Sequence, residues 1–188
     1  MGILARGKKP SIVGPNQALP KSATAWDIIQ MERSDQRELC DAMELIANQL
    51  PDNVDIELYE HIHEKLHLNL PIYHENEEAL FAYINRHESS LIDVPPILRC
   101  VRLEHATHDC FADEIYEFLG VLRAGSGVRE PSTIGYMLRS CFHSIRRHMT
   151  WEDLILMPVA RHTLTANDLS ELLDRINVNR QTIGLNIV

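Results

Sequence analysis

Residues 73–83 read YHENEEALFAY and residues 147–157 read RHMTWEDLILM. Laid one on the other, they align His74 with His148 and Glu78 with Glu152, an offset of 74 residues. Further upstream in each half, MER (31–33) matches LEH (103–105) at an offset of 72. Repetition of a motif pair at nearly constant offset marks a duplicated structural unit. Around each motif the apolar residues recur every three or four positions, so the repeated unit is a helical hairpin.

Working outward, a first helix runs from Trp26 through Ile28, Ile29, Leu39, Met43, Ile46 and Leu50, and closes at Pro51. A second covers about 52–83, with Pro71 inside it to kink or divide it. A third follows Pro95 and Pro96 and runs to the Gly125-Ser126-Gly127 turn. A fourth opens near Pro131 and Ser132, and Pro158 marks its kink or end. The segment ANDLSELLDRI (166–176) adds a short C-terminal helix, and no stretch alternates apolar and polar for long enough to build a sheet. The expected class is all-α: a four-helix up-down bundle over residues 25–178, built from a duplicated hairpin. A Gly- and Pro-rich flexible arm (1–24) precedes it, and a tail (179–188) follows.

The chain's 188 residues suffice for one domain, and its net charge of -9, from 27 acids against 18 bases, disfavours nucleic acid and anionic membrane surfaces as partners. The N-terminal stretch offers only Ile3, Leu4 and Ala5 as an apolar run, too short for a signal-peptide core. The cysteines, Cys40, Cys100, Cys110 and Cys141, form no C-x-x-C pair and read as buried free thiols of a cytoplasmic protein. Ten histidines is a heavy load, and histidine is the commonest metal ligand. Composition therefore points to metal.

His-x-x-x-Glu sets an imidazole and a carboxylate about one turn apart on one helix face, where both reach one cation. With 10 histidines and 16 glutamates, chance supplies about 0.8 such pairs, so one alone is uninformative. The two present stand at equivalent places of the two halves, each within an apolar stripe, and a charge on a core face is costly unless paired or metal-bound. The bland reading of each is a hydrogen-bonded histidine beside a solvated acid.

Over about residues 26–177 the chain resembles the hemerythrin-like (HHE cation-binding) family. The matching blocks are His74-Glu-Asn-Glu-Glu78-Ala-Leu-Phe, Leu103-Glu-His105 with His108 after it, and His148-Met-Thr-Trp-Glu152-Asp-Leu-Ile-Leu-Met-Pro158; the TLTANDLSELL segment follows. The resemblance implies a four-helix bundle holding non-haem iron, one or two ions. Its metal ligands would be His74, Glu78, His105, His148 and Glu152, with the two glutamates as candidate bridges. Zinc or manganese would suit the same donors. It also implies a small species bound or sensed: a diatomic ligand such as oxygen or nitric oxide, redox state, or iron itself. The family's first-helix histidine falls at Arg33, which has no lone pair to give a metal. Three outcomes stay open: a single-metal site, a dinuclear site completed by His67, Asp35 or Glu32, or a metal-free interaction module. His108 reads either as a ligand or as a partner to one, as does Asp109. Trp151 and Phe81 read as core residues that keep water out, and a homodimer through the first helix and the arm stays open.

Two rival motifs weigh less. His63-Glu64-Lys65-Leu66-His67 is a literal H-E-x-x-H, the zinc-peptidase signature, but has no recognisable third ligand and no strand to bind a peptide. Glu60-x-x-His63 and Glu64-x-x-His67 have the spacing of ferritin-like di-iron ligands, but both lie on one helix without a counterpart in the other half. These histidines, with His61, read more simply as surface residues on a polar helix.

Overall fold

The computed structural model describes residues 22–50, 55–87, 93–123 and 131–185. Among them the chain is all-helical and without strands, and its elements group into five helices. Helix α1 is Ala25–Gln49; α2 comprises Ile56–Glu64, a π-helical turn Lys65–Asn69 and Leu70–Arg86; α3 is Val94–Arg123. Helix α4 comprises Pro131–Trp151, a π-helical turn Glu152–Leu156 and Met157–Thr163, and α5 is Ala166–Leu185. Residues 1–21 of the expected arm and the turn at 125–127 lie outside the described residues. No helix among the described residues is long and apolar enough to cross a membrane.

Helix starts are written in the sequence. Thr24 caps α1 in a reciprocal capping box with Asp27: its hydroxyl accepts from the Asp27 amide at 3.2 Å, and the Asp27 carboxylate accepts from the Thr24 amide at 2.9 Å. Thr165 and Asp168 repeat the device ahead of α5. Pro71 and Pro158 neither divide nor end their helices. A proline cannot donate, and its ring clashes with the carbonyl four residues back. Just before each proline the hydrogen bonding slips to five residues back, from the Leu70 amide to the Lys65 carbonyl and from the Met157 amide to the Glu152 carbonyl. Each helix thereby absorbs one extra residue and continues.

Residue pairs show the helix directions. Arg33, Asp41 and Ala47 of α1 meet Glu152, Arg146 and Arg139 of α4, so these two run antiparallel. Glu78 and His74 of α2 meet Arg102 and Asp109 of α3, and Glu104 and His108 of α3 meet Arg147 and Ser144 of α4, again antiparallel. Helix α5 lies along α2 through Asp168 with His87, Glu171 with Tyr83, and Asn179 with the Glu75 carbonyl. The expected tail at 179–188 is thus helical as far as Leu185, because Leu172, Ile176 and Asn179 continue one buried stripe.

Two apolar clusters fill the interior. One gathers Leu39, Met43 and Ile46 of α1, Tyr59, Ile62 and Leu66 of α2, Ile115 of α3, and Leu138, Phe142 and Ile145 of α4. The other gathers Ile28, Leu80, Phe81, Ile84, Leu98, Val101, Leu156 and Ala160, sealed by Leu172 and Ile176 of α5. Along every one of the first four helices a buried polar stretch separates them: Glu32 to Gln36, Tyr73 to Glu77, His105 to His108, and Ser144 to Glu152. Cys40 and Cys141 are buried as expected, whereas Cys100 and Cys110 are exposed on α3; all four are free thiols. Trp151, expected in the core, is 48% exposed, since the buried face of α4 passes through His148, Met149 and Glu152 instead.

Candidate metal centre

The polar layer between the two apolar clusters holds four imidazoles, His74 from α2, His105 and His108 from α3, and His148 from α4, all nearly inaccessible to solvent. Burying this many ionisable groups is unfavourable unless they satisfy one another or a cation. At their centre is Glu77. Its Oε2 lies 3.0 Å from Nε2 of His105 and 3.4 Å from Nε2 of His148, and those two nitrogens are 3.2 Å apart. Gln36 of α1 donates to the other carboxylate oxygen at 2.9 Å. Two groupings could each hold an ion and share Glu77: His74, Glu77 and His105, and Glu77, His148 and Glu152.

Behind three of the rings stands a second carboxylate. Nδ1 of His74 is 3.5 Å from Asp109, Nδ1 of His105 is 3.6 Å from Glu78, and Nδ1 of His148 is 3.3 Å from Glu104. For His74 and His105, one ring nitrogen turned inward and the other turned toward a carboxylate is the arrangement that fixes the tautomer and orientation of metal-binding histidines. His148 Nδ1 and Glu104 Oε2, though close, make no hydrogen bond. His108 differs: its Nδ1 is 3.4 Å from His74 Nε2, and its Nε2 is 3.1 Å from the Ser144 hydroxyl.

The structure brings His74, His105, His108, His148 and Glu152 together and leaves two expected residues aside. Glu78 stands outside both groupings, since it accepts from Arg102 Nε at 2.7 Å and flanks His105 from behind. Glu77 takes the inner place because the buried stripe of α2 runs Leu70, Tyr73 and His74, Glu77, Leu80 and Phe81, Ile84, at steps of three and four that bypass position 78. That stripe was the sequence signal for Glu77, outweighed by the exact repeat of His-x-x-x-Glu. His67 is exposed, its ring centroid 6.0 Å from His63 and 5.4 Å from Tyr116. His67 lies within the π turn Lys65–Asn69, so seven-residue spacing no longer places it and His74 on one face.

Asp35 and Glu32 are buried but spoken for. Asp35 accepts from Lys65 Nζ at 3.0 Å and from the Tyr73 hydroxyl at 2.6 Å. Glu32 accepts from Asn76 at 2.8 Å and from Arg180 at 3.1 Å. Arg33 is buried too, with its guanidinium on Glu152, on the Met149 carbonyl at 3.1 Å, and on Asp153 at 2.7 Å; its Nε–H has no hydrogen-bond partner. A permanent cation therefore sits against the carboxylate of the second grouping.

The electrostatics follow from these contacts. Burial alone would raise Glu77, but hydrogen bonds from His105 and His148 outweigh it and hold the carboxyl well below its usual range. Burial would likewise lower His105, yet Glu77 and Glu78 lift it to about 9. His108 is pushed down to about 2 by burial and then by the other imidazoles, and burial also lowers His74. Burial and the Glu77 charge push Glu152 up to about 7 against the pull of His148 and Arg33. In the metal-free protein these shifts carry a sign. His105, raised from 6.5 to about 9, stabilises the fold fully below pH 6.5, a contribution lost as pH rises through 9. Glu32, raised from 4.5 to about 8 chiefly by burial, acts in the same direction. Urea unfolding of chelator-treated protein is therefore expected to show stability falling between pH 6.5 and 9, on the order of 3 kcal/mol from His105 alone. A stability that rises across that window would contradict the assignment; the lowered His74 and His108 act only below it.

No family model, curated protein or solved structure matches the chain. On its own geometry it is an all-helical, bundle-like protein with buried His/Glu groups that could hold a metal ion.

Proposed function

We propose that the chain is a hemerythrin-like four-helix bundle that holds non-haem iron through His74, Glu77, His105 and His148 and uses it to bind or sense a small species such as oxygen or nitric oxide. The supporting observation is the triangle of His105 Nε2, His148 Nε2 and Glu77 Oε2, with edges of 3.0, 3.2 and 3.4 Å. Donors about 2.1 Å from a common ion, at the angles of tetrahedral or octahedral coordination, stand roughly 3.0–3.4 Å apart. The carboxylates behind His74 and His105 support the same reading, and so do the apolar clusters on either side, which exclude bulk water. His and Glu donors also suit zinc and manganese. The four free cysteines fit a reducing, cytoplasmic setting.

The test is elemental analysis of protein purified without added metal, together with the visible spectrum of anaerobic ferrous protein before and after exposure to oxygen or nitric oxide. About one iron or more per chain and a spectral change on exposure are expected. Bound zinc alone, with no spectral response, would overturn the sensing role but leave the centre. A second reading is favoured by one observation, the buried Arg33 on Glu152: the polar layer closes on itself as a metal-free interaction module. Absence of metal even after anaerobic iron addition would select it.

A further inference from the structure

We infer that Arg33 acts as a tethered second cation, so that the centre takes one metal ion, held among His74, Glu77, His105 and His148, where the two groupings would otherwise accommodate a pair. The inference rests on the metal-binding reading above and deepens it. The two groupings share only Glu77, so a pair of ions would have to be bridged there, with the second ion drawing on Glu152. Glu152 is already neutralised: the Arg33 guanidinium donates to it inside the protein, where both side chains are only 2% exposed. A second divalent ion on Glu152 would meet that guanidinium, and two positive charges at such range in a poorly solvated interior repel strongly. Nor can Arg33 swing out easily, since it is also held by the Met149 carbonyl and Asp153. An arginine remains charged under all ordinary conditions, so this exclusion has no pH at which it lifts.

The experiment counts ions. Iron(II) under anaerobic conditions and zinc(II) are each added in excess to full-length protein, unbound ion is removed, and metal per chain is measured by elemental analysis. The count is made in a His63→Ala/His67→Ala background, because a histidine pair four residues apart on a partly exposed face can chelate a further ion. Arg33→Gln removes the charge and keeps a hydrogen-bonding group, and Arg33→His supplies a lone pair at the same place. Circular dichroism shows which of the two retains the helical fold, and having two variants guards against loss of one. One ion per chain with Arg33 and two in a folded Arg33 variant is the expected result. Two ions with Arg33 in place would overturn the inference while leaving the metal centre standing, as would one ion both with Arg33 and in a folded variant. No ion at all would overturn the metal reading and this inference with it.

Discussion

Glu77→Ala is expected to abolish metal uptake and, in the metal-free protein, to lower stability by about 3–5 kcal/mol. Glu77 is the one residue shared by both groupings, and its Oε2 lies within 3.4 Å of two inward-facing imidazole nitrogens. Truncation leaves His105 and His148 facing each other at 3.2 Å with no carboxylate between, so the protonated form of His105 loses its first partner. Gln36 loses the acceptor for its buried amide as well. Elemental analysis and urea unfolding in chelator read the two effects separately. Full metal content in Glu77→Ala would refute the assignment, and Glu78→Ala, which truncates the residue behind His105, is expected to weaken binding about 10- to 100-fold and not to eliminate it.

The second large effect lies away from the imidazoles. Asp35→Ala removes the carboxylate that accepts from Lys65 Nζ and from the Tyr73 hydroxyl, in a place where all three side chains are nearly inaccessible. Breaking a buried ion pair from one side costs roughly 3–5 kcal/mol, whereas replacing both charges by apolar groups is often nearly neutral. Asp35→Ala should therefore lower the urea midpoint sharply, and Asp35→Ala/Lys65→Met should recover more than half of the loss. Equal losses in the single and double variants would show that the ion pair is not the source.

Much of this architecture was legible in the chain. The apolar stripes gave the first four helices, Pro95 and Pro96 and then Pro131 and Ser132 marked starts, and the duplicated motif picked out His74, His148 and Glu152. The rest was hidden for physical reasons. Glu77 and Glu78 are both within a turn of His74, and only the direction of the buried stripe separates them. His67 and His74 share a face in an ideal helix, and a π turn is a response to Pro71 whose exact place spacing arguments do not give. The fate of Arg33 depended on Glu152, a residue 119 positions away, and so on the packing of α1 against α4. Arg180 was likewise assigned to a tail, because nothing local announces that Glu32 waits for it across the helix interface.

The placement of the two π turns has a mechanical consequence. In α2 the turn precedes His74, so that imidazole is carried by unbroken α-helix to Leu80, Phe81 and Ile84 in one apolar end of the molecule. In α4 the turn begins at Glu152, after His148, so this second imidazole is carried by unbroken α-helix to Leu138, Phe142 and Ile145 in the opposite end. Each ring is thus joined by unbroken α-helix to a different apolar cluster, with the π turn of its helix on the other side. An ion held by both rings would tie the two apolar clusters together across the polar layer like a rivet.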